Sequence, residues 1–225
     1  MNTPPPSVDR PLIRLEEIYF AYEPARPVLT GCNLVLWPGE RVGLIGPTGS
    51  GKTTLLHLIV GLLRPSSGRI EIFGKLRAKE HDFLSVRRQV GLLFQEADDQ
   101  LLFPTVAEDV AFGPLNLGKP KDQVRQLVRE TLAGLGLAGY ENRITYRLSG
   151  GEKRLVALAG LLAMQPQILL LDEPFAGLDE QTAHRVLHIL ARLPQTLLVV
   201  SHHRDWLRQI ATRTVRLQEG KLLDE

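Results

Sequence analysis

The chain has 225 residues, of which 44% are hydrophobic and 23% charged, and its formal net charge is +2. This composition provides enough apolar side chains for a buried core and excludes a chain that is disordered throughout. Lysine and arginine are scattered, which argues against a nucleic-acid surface, and the single cysteine, Cys32, excludes an internal disulfide.

The N-terminal part of the chain is predicted to alternate short strands with turns. Residues 1–11 are rich in proline and polar side chains and predict a loose tail. Turns are predicted at 21–24 and 37–40, and a helix over 54–60 is expected to stop near Gly61. Strands are predicted over residues 12–20, 28–36, 41–45, 69–73 and 90–94.

The C-terminal part changes character after residue 94. Residues 95–165 predict loops and helices without a convincing strand, and the helices lie over 121–137 and 149–164. Beyond them we predict strands over 167–171 and 196–200, a helix over 179–193 and a closing hairpin over 214–217 and 221–223. Continuous apolar strands separated by helices indicate a mainly parallel sheet that is covered on both faces. The sequence therefore predicts one α/β domain, with a core over 12–94 and 166–225 and a helical insertion over 95–165.

A glycine-rich segment follows the strand predicted over 41–45. Its residues fit G-x-x-x-x-G-K-[ST] at every fixed position, and they are Gly46, Pro47, Thr48, Gly49, Ser50, Gly51, Lys52 and Thr53. Glycines let the backbone direct its N–H groups at an anion, and the following helix points its positive end at the same anion. Lys52 adds a charge for the terminal phosphates of a nucleotide, and the Thr53 hydroxyl can ligate magnesium. The alternative is a glycine turn before an ordinary core helix.

Two carboxylates end the apolar strand predicted over 167–171. Asp172 and Glu173 follow directly, at the edge where the carboxyl ends of parallel strands line a ligand crevice. Asp172 is therefore placed for a magnesium–phosphate complex, and Glu173 for orienting or deprotonating an attacking water. The alternative is a solvated strand end that begins a loop.

The segment Leu148–Glu152 opens the helix predicted over 149–164. Ser149 is a good N-cap, and Glu152 three residues later completes a capping box. The capping box does not explain Gly150 and Gly151 in the first helical turn, where glycine lowers helix stability. Bare glycines there are expected if an anion approaches the backbone closely.

Together these residues resemble the nucleotide-binding subunits of ABC transporters, from about Leu12 to the C-terminus. The resemblance implies a P-loop NTPase core with a mainly parallel sheet, N-terminal antiparallel strands and an inserted helical subdomain. It also implies that this core binds ATP and magnesium. It implies that residues 46–53 form a Walker A loop, that Thr54 after it also contacts the nucleotide, and that residues 168–172 form a Walker B strand. The expected magnesium ligands are then Thr53, Gln95 and Asp172. It also implies three catalytic residues: Glu173 as the catalytic glutamate, His202 as the switch histidine and Gln95 as the Q-loop glutamine.

The same resemblance implies a dimer in which two ATP molecules lie between the subunits. ATP on one Walker A loop is then closed by Ser149, Gly150 and Gly151 of the other subunit, and Asp179 belongs to the D-loop. Tyr22 lies where the family stacks an aromatic ring on adenine, with Phe20 as a competing candidate.

Two positions depart from the family pattern, and one pair of histidines offers a competing interpretation. Phe175 replaces a small hydroxyl residue, and His203 replaces the aspartate that often follows the switch histidine, so His203 is the alternative to His202. His184 and His188 have the i, i+4 spacing of metal ligands, but a solvated helix face explains them better because no H-E-x-x-H is present.

A finer resemblance comes from residues 94–114 and from Glu152-Lys153-Arg154. These stretches are similar to the ATPases of energy-coupling-factor transporters, especially the cobalt and nickel branch; vitamin importers of the same group remain the alternative, and a soluble ABC ATPase a more distant one. The expected partners are a second ATPase subunit, identical or homologous, a membrane coupling subunit and a substrate-binding membrane subunit, with no nucleic acid. No apolar run in the sequence is long enough to span a bilayer, so we expect a peripheral position on the cytoplasmic face of the membrane. The segment 98–103 is expected to dock a helix of the coupling subunit or, alternatively, to pack inside the insertion.

Overall fold

Two β-sheets organise the chain. The structure is a computed structural model that describes residues 10–225. In this part of the chain the strands are β1 (Ile13–Glu23), β2 (Arg26–Leu36), β3 (Arg41–Ile45), β4 (Ser67–Ile72), β5 (Lys75–Leu76), β6 (Val90–Leu93), β7 (Ile168–Asp172), β8 (Thr196–Val200), β9 (Arg213–Gln218) and β10 (Lys221–Asp224). A four-stranded antiparallel sheet has the order β2-β1-β4-β5, and a six-stranded sheet has the order β10-β9-β3-β8-β7-β6.

The six-stranded sheet is parallel except at one edge. β3 pairs in parallel with β8 and β9, and β7 pairs in parallel with β6 and β8. β10 is antiparallel to β9 and forms the predicted closing hairpin. The prediction of an α/β fold with a mainly parallel sheet and N-terminal antiparallel strands is therefore confirmed.

Seven α-helices accompany the sheets in the described residues. They are α1 (Lys52–Ile59), α2 (Glu80–Arg87), α3 (Val106–Asn116), α4 (Lys121–Gly134), α5 (Gly150–Met164), α6 (Glu180–Arg192) and α7 (Arg204–Ile210). A short 3-10 turn at Ala97–Asp99 precedes α3, and another at Thr145–Arg147 lies between α4 and α5. Residues 95–165 contain no β-strand, only an isolated β-bridge between Thr105 and Ile144. None of the helices in residues 10–225 is both long enough and apolar enough to cross a membrane.

The central strands are apolar between their end residues because both of their faces are covered. On β7, Ile168 and Leu170 pack into a core shared with the antiparallel sheet and α1. Leu169 and Leu171 point the other way, into a second core that includes side chains from α3 to α7. Side chains of a strand alternate between the two faces of the sheet, so two cores require an unbroken apolar strand.

Several local predictions were wrong. β1 continues to Glu23, which pairs with Arg26 of β2, so the predicted turn at 21–24 is reduced to two residues. The helices α2 and α7 were not predicted, because each is short and buries only two side chains, too few for a periodic pattern. Residues 1–9 of the predicted tail lie outside the described residues, and Pro11 is buried rather than loose.

Candidate functional site

The predicted site residues meet at the carboxyl ends of neighbouring strands. The loop after β3, the residue Gln95 beyond β6, the end of β7 and the residue His202 beyond β8 lie side by side, because β3, β8, β7 and β6 are adjacent in the sheet. Here a cavity of about 370 Å³ is lined by Tyr22, Thr48, Gly49, Gly51, Lys52, Thr53, Thr54, Gln95, Asp172, Glu173 and His202. The chain thus brings together most of the residues that the sequence predicted for one ligand.

The loop after β3 needs glycine at two positions for steric reasons. Gly46 has a φ of 155°, and a Cβ there would lie 2.5 Å from the carbonyl oxygen of Leu217. Gly51 has a φ of 102°, and a Cβ there would lie 2.6 Å from Val28. A side chain at either position would push the loop away from the strands beside it, so these glycines fix where α1 begins.

Lys52 is buried at the start of α1. Its Nζ donates to the carbonyl oxygens of Gly46 at 2.9 Å and Pro47 at 2.8 Å, which holds the side chain back along the loop. Burial lowers the pKa of Lys52, while the nearby carboxylates of Glu173 and Asp172 act in the opposite direction. The ammonium therefore lies close to the cavity with little competition from water, where its attraction to an anion is strong.

The chemistry of Thr53 and Asp172 fits magnesium. The Thr53 hydroxyl donates to Oδ2 of Asp172 at 2.6 Å, so a hydroxyl and a carboxylate oxygen converge on one point beside the cavity. Asp172 is 2% exposed, and burial raises its pKa, while the bond from Thr53 and the charge of Lys52 lower it. Hard oxygen donors of this kind suit Mg²⁺, so Thr53 and Asp172 would hold the ion, and its charge would offset that of the buried carboxylate.

Glu173 and His202 contact each other in the wall of the cavity. His202 Nε2 lies 3.2 Å from Oε1 of Glu173, and the backbone N–H of His202 donates to Oε2 at 3.3 Å. Burial raises the pKa of Glu173, and the largest effect in the opposite direction is the charge of His202. Glu173 also has a φ of 49°, in the left-handed region that is uncommon for a residue with a Cβ. A carboxyl group with a raised pKa in a cleft is typical of a functional group.

The two aromatic candidates differ in exposure. Tyr22 is 64% exposed and lines the cavity, and its hydroxyl lies 3.1 Å from the hydroxyl of Thr54. Phe20 is buried and contacts Tyr22 edge-on, with ring centroids 4.9 Å apart. Only Tyr22 therefore presents a ring face that a ligand can reach.

The segment that opens α5 does not line this cavity but reaches a neighbouring one. Ser149 and Glu152 form the predicted capping box, with the Ser149 backbone N–H donating to Glu152 at 2.8 Å. Gly150 lines an adjacent cavity of about 480 Å³, which shares Glu173 and His202 with the first, and a Cβ at Gly150 would meet nothing within 4 Å. A Cβ at Gly151 would lie 2.9 Å from the carbonyl oxygen of Gly177, so this glycine has a packing reason that the sequence did not reveal.

Two further predicted groups take no direct part in the cavity. Asp179 caps α6, where its carboxylate accepts from the backbone N–H of Thr182 at 2.9 Å. His184 and His188 are on α6, and within residues 10–225 no group of three or more His, Cys, Asp or Glu side chains is placed to hold a metal ion.

Arg154 is a site residue that sequence reasoning missed. It lies on α5, is 5% exposed, and its guanidinium donates to the carbonyl oxygens of Phe94, at 2.7 Å, and Gln95. Arg154 thereby connects the backbone at Phe94 and Gln95 to α5, the helix that Ser149 caps. A buried guanidinium is costly unless it is hydrogen-bonded, but its partners are distant in sequence, so no local pattern indicates them.

The comparison with known families decides the identity of this site. The sequence profile described as "ABC transporter" matches residues 29–176. The chain belongs to the ABC transporter family. The match includes the loop at Gly46–Thr53, Gln95, the segment that opens α5, and the Asp172–Glu173 pair.

Individual relatives cover almost all of this ABC ATPase. An energy-coupling factor transporter ATP-binding protein of Methanothermobacter thermautotrophicus is 44% identical over 218 residues, which are 95% of this chain and 70% of the relative. The structure of CbiO1 from Clostridium perfringens, described as part of the ABC transporter complex CbiONQ, is 32% identical with a TM-score of 0.82 over 95% of this chain and 87% of that one.

A second solved structure connects the fold with ATP hydrolysis. It is a dimeric ATP-binding cassette in a post-hydrolysis state bound to ADP and Pi, with 28% identity and a TM-score of 0.87 over 95% of this chain and 97% of that one. The predicted P-loop ABC fold and the predicted ATPase activity are confirmed. The protein is an ABC ATPase, which couples ATP hydrolysis to transport.

Proposed function

We propose that this ATPase powers a membrane importer of the energy-coupling-factor type, and that the cargo is cobalt or nickel ions. The observation that carries the importer type is the 44% identity to an energy-coupling factor ATP-binding protein over nearly the whole chain. The cargo rests on the resemblance of residues 94–114 to the cobalt and nickel branch. A vitamin importer of the same group is the competing outcome.

The experiment that tests this function begins with the membrane partners. The ATPase is expressed with the genes that encode its co-purifying membrane proteins, and uptake of radiolabelled cobalt, nickel and vitamins is measured in separate cultures. Uptake of cobalt or nickel that disappears when the ATPase is omitted supports the proposal. Uptake of a vitamin alone, or of none of these cargoes, contradicts it.

Within the site we propose a division of work among the residues that line the cavity. Lys52 and the backbone of the loop hold the β- and γ-phosphates, and Tyr22 stacks on adenine. Thr53, Asp172 and Gln95 hold magnesium, which lends its charge to the phosphates when it is bound. Glu173 orients and deprotonates the attacking water, because its carboxylate lines the cavity beside His202. His202 contacts the γ-phosphate and Glu173 together.

We further propose that two subunits enclose ATP between them, with Ser149 and Gly150 of one subunit closing the site of the other. This assignment is supported by the exposure of Ser149 and by the open space around Gly150, which no contact within the chain explains. The N-terminus of α5 then points its positive end at the γ-phosphate of the partner subunit's ATP.

Replacing Ser149 with arginine tests this arrangement. Ser149→Arg should leave ATP binding to the isolated subunit within about twofold, because Ser149 does not line the Lys52 cavity, but it should lower turnover at least about a hundredfold by blocking closure. Binding is measured by calorimetry and closure by size-exclusion chromatography. Ser149→Ala is the matched control, since both variants lose the cap and only arginine adds bulk. Loss of ATP binding in the isolated Ser149→Arg subunit would contradict the composite site.

The proposed contact with the membrane subunit lies on the helical insertion. Between α3 and α4 a groove of about 460 Å³ has apolar walls, which include Phe103, Ala111, Phe112 and Val128. Of the segment predicted to dock, Leu101 packs against the second core, Phe103 lines the groove, and Leu102 is 71% exposed. A groove of this kind suits an amphipathic helix, as expected for a coupling subunit.

Polar replacements at Phe112, which lines the groove, and at the exposed Leu102, which precedes Phe103 in the chain, test this contact. Phe112→Ser and Leu102→Ser should weaken co-purification with the membrane subunits roughly tenfold, as expected for losing a large apolar anchor, while the ATPase remains folded. Leu84→Ser is the control, because Leu84 is also exposed but lies on α2, far along the chain from the groove. Normal assembly and normal transport by both Phe112→Ser and Leu102→Ser would contradict a contact at this surface.

A further inference from the structure

One aromatic side chain to which the proposed mechanism gives no role contacts both the loop that carries Glu173, after β7, and the loop that carries His202, after β8. Trp206, on the first turn of α7, contacts Phe175 edge-on with ring centroids 4.9 Å apart and an interplanar angle of 73°. On its other side it stacks with His203, with centroids 4.3 Å apart and an angle of 25°. The first distance lies within the roughly 4.5–7 Å that separates the centroids of aromatic pairs, and the second is slightly shorter, with the two rings nearly parallel.

The two partners of Trp206 are next to the groups that face the nucleotide. Phe175 is two residues beyond Glu173, and His203 directly follows His202. The loops meet again at the carboxylate of Glu173, which lies 3.2 Å from His202 Nε2. The loop after β7 and the loop after β8 are therefore connected twice: once through Trp206, and once through the contact between Glu173 and His202.

Besides the stack, the loop of His202 is held at its backbone, where the carbonyl oxygen of His203 accepts from the N–H groups of Trp206 and Leu207, each at 3.1 Å. Residues 202 and 203 lie between β8 and α7, both are exposed, and the backbone N–H of His203 donates to the Ser201 hydroxyl at 3.1 Å. Phe175 is fully buried in the second core, so its ring is a fixed point. Stacking on Trp206 transmits that fixed position to His203, and the peptide bond transmits it to His202.

Core packing alone does not account for this arrangement. Trp206 is only half-buried, and the ring that covers its face belongs to an exposed histidine rather than to a core residue. His184 of α6 approaches Trp206 more loosely, with centroids 6.1 Å apart, and does not contact the cavity. The two departures from the family pattern noted above, Phe175 and His203, are also the two residues that Trp206 joins.

We propose that Trp206 is a positioning residue for ATP hydrolysis, which holds His202 against Glu173 through its contacts with His203 and Phe175. This inference rests on the roles proposed for Glu173 and His202. It assigns no chemistry to Trp206 itself, whose ring is separated from the cavity by the two loops that it joins.

The test compares turnover with nucleotide binding in Trp206 variants. Trp206→Leu should lower kcat roughly tenfold to a hundredfold, the range expected when a catalytic group is misplaced by up to about 1 Å, while KM for ATP stays within about twofold. Trp206→Phe keeps an aromatic ring and should restore most of the turnover. Trp37→Leu is the matched control, because Trp37 is the other tryptophan of the chain and lies in the turn between β2 and β3.

Two variants at His203 keep the test decisive if Trp206→Leu fails to fold. His203→Phe preserves the stack and should retain turnover, whereas His203→Ala removes it and should lower kcat with little change in KM. Because His203 is exposed, neither change opens a cavity in the core. Loss of turnover in His203→Phe would mean that the imidazole of His203 acts directly, and it would overturn the inference.

Reference variants separate this inference from the proposed function. Glu173→Gln and His202→Ala are assayed in parallel with the same ATP concentrations. If both lose turnover while Trp206→Leu and His203→Ala keep theirs, the positioning role is wrong and the catalytic roles stand. If the reference variants keep their turnover, the catalytic roles fall, and the positioning role falls with them.

Discussion

Lys52→Ala should abolish measurable ATP hydrolysis and weaken ATP binding. The Lys52 ammonium lies at the cavity within hydrogen-bond distance of two loop carbonyls, and burial leaves it poorly screened by water. Removing a charge that is aimed at the terminal phosphates costs at least about a hundredfold in turnover, as for the loss of one preorganised donor to developing charge. Binding is measured by calorimetry and turnover by phosphate release.

The matched control for this variant is Lys75→Ala. Lys75 is exposed on β5, outside the cavity, so its removal should change neither binding nor turnover. Circular dichroism should show that Lys52→Ala keeps its secondary structure, because Lys52 bonds only within its own loop. Near-normal turnover in a folded Lys52→Ala protein would sink the assignment of this loop to the phosphates.

Glu173→Gln should bind ATP but hydrolyse it roughly a hundredfold or more slowly, within the range for losing a general base. Glutamine keeps the size of the side chain but cannot take a proton from water. Lys52, Thr53 and Asp172 remain in place, so the affinity for ATP should change little. The variant should accumulate as an ATP-bound dimer, which size-exclusion chromatography detects.

The control for the second variant is Glu180→Gln. Glu180 is an exposed carboxylate in the first turn of α6, and it is not among the residues that line the cavity. Its turnover should equal that of the unmodified protein. If Glu173→Gln also hydrolyses ATP at the original rate, another residue is the base, and the contact between Glu173 and His202 has no role in hydrolysis.

The sequence was most informative where a function depends on neighbours along the chain. The loop at 46–53 combines glycines, a lysine and a threonine at fixed spacing, and an apolar strand precedes Asp172 and Glu173. Parallel pairing then brings these segments together, because the carboxyl ends of adjacent strands share one edge. These segments, together with residues 148–152, carried the resemblance to ABC ATPases, which is confirmed, whereas the cargo stays a prediction.

The sequence was least informative where the partners are far apart along the chain. Arg154 bonds to carbonyl groups 59 and 60 residues away, and nothing near it in the sequence distinguishes it from a surface arginine. Gly151 is restricted by the carbonyl oxygen of Gly177, which packs against it only in the folded chain. Trp206 joins two loops that come from different strands. Contacts of this kind depend on tertiary structure, and no periodicity records them.

The left-handed backbone at Glu173 has a consequence for attempts to make this enzyme more resistant to heat. A residue with a Cβ in that conformation costs about 1–3 kcal/mol, and the buried carboxylate adds a desolvation cost. Glycine or asparagine accepts the same backbone more readily. A library selected for survival at high temperature alone would therefore be drawn towards losing this carboxylate, and would enrich well-folded cassettes that no longer turn over.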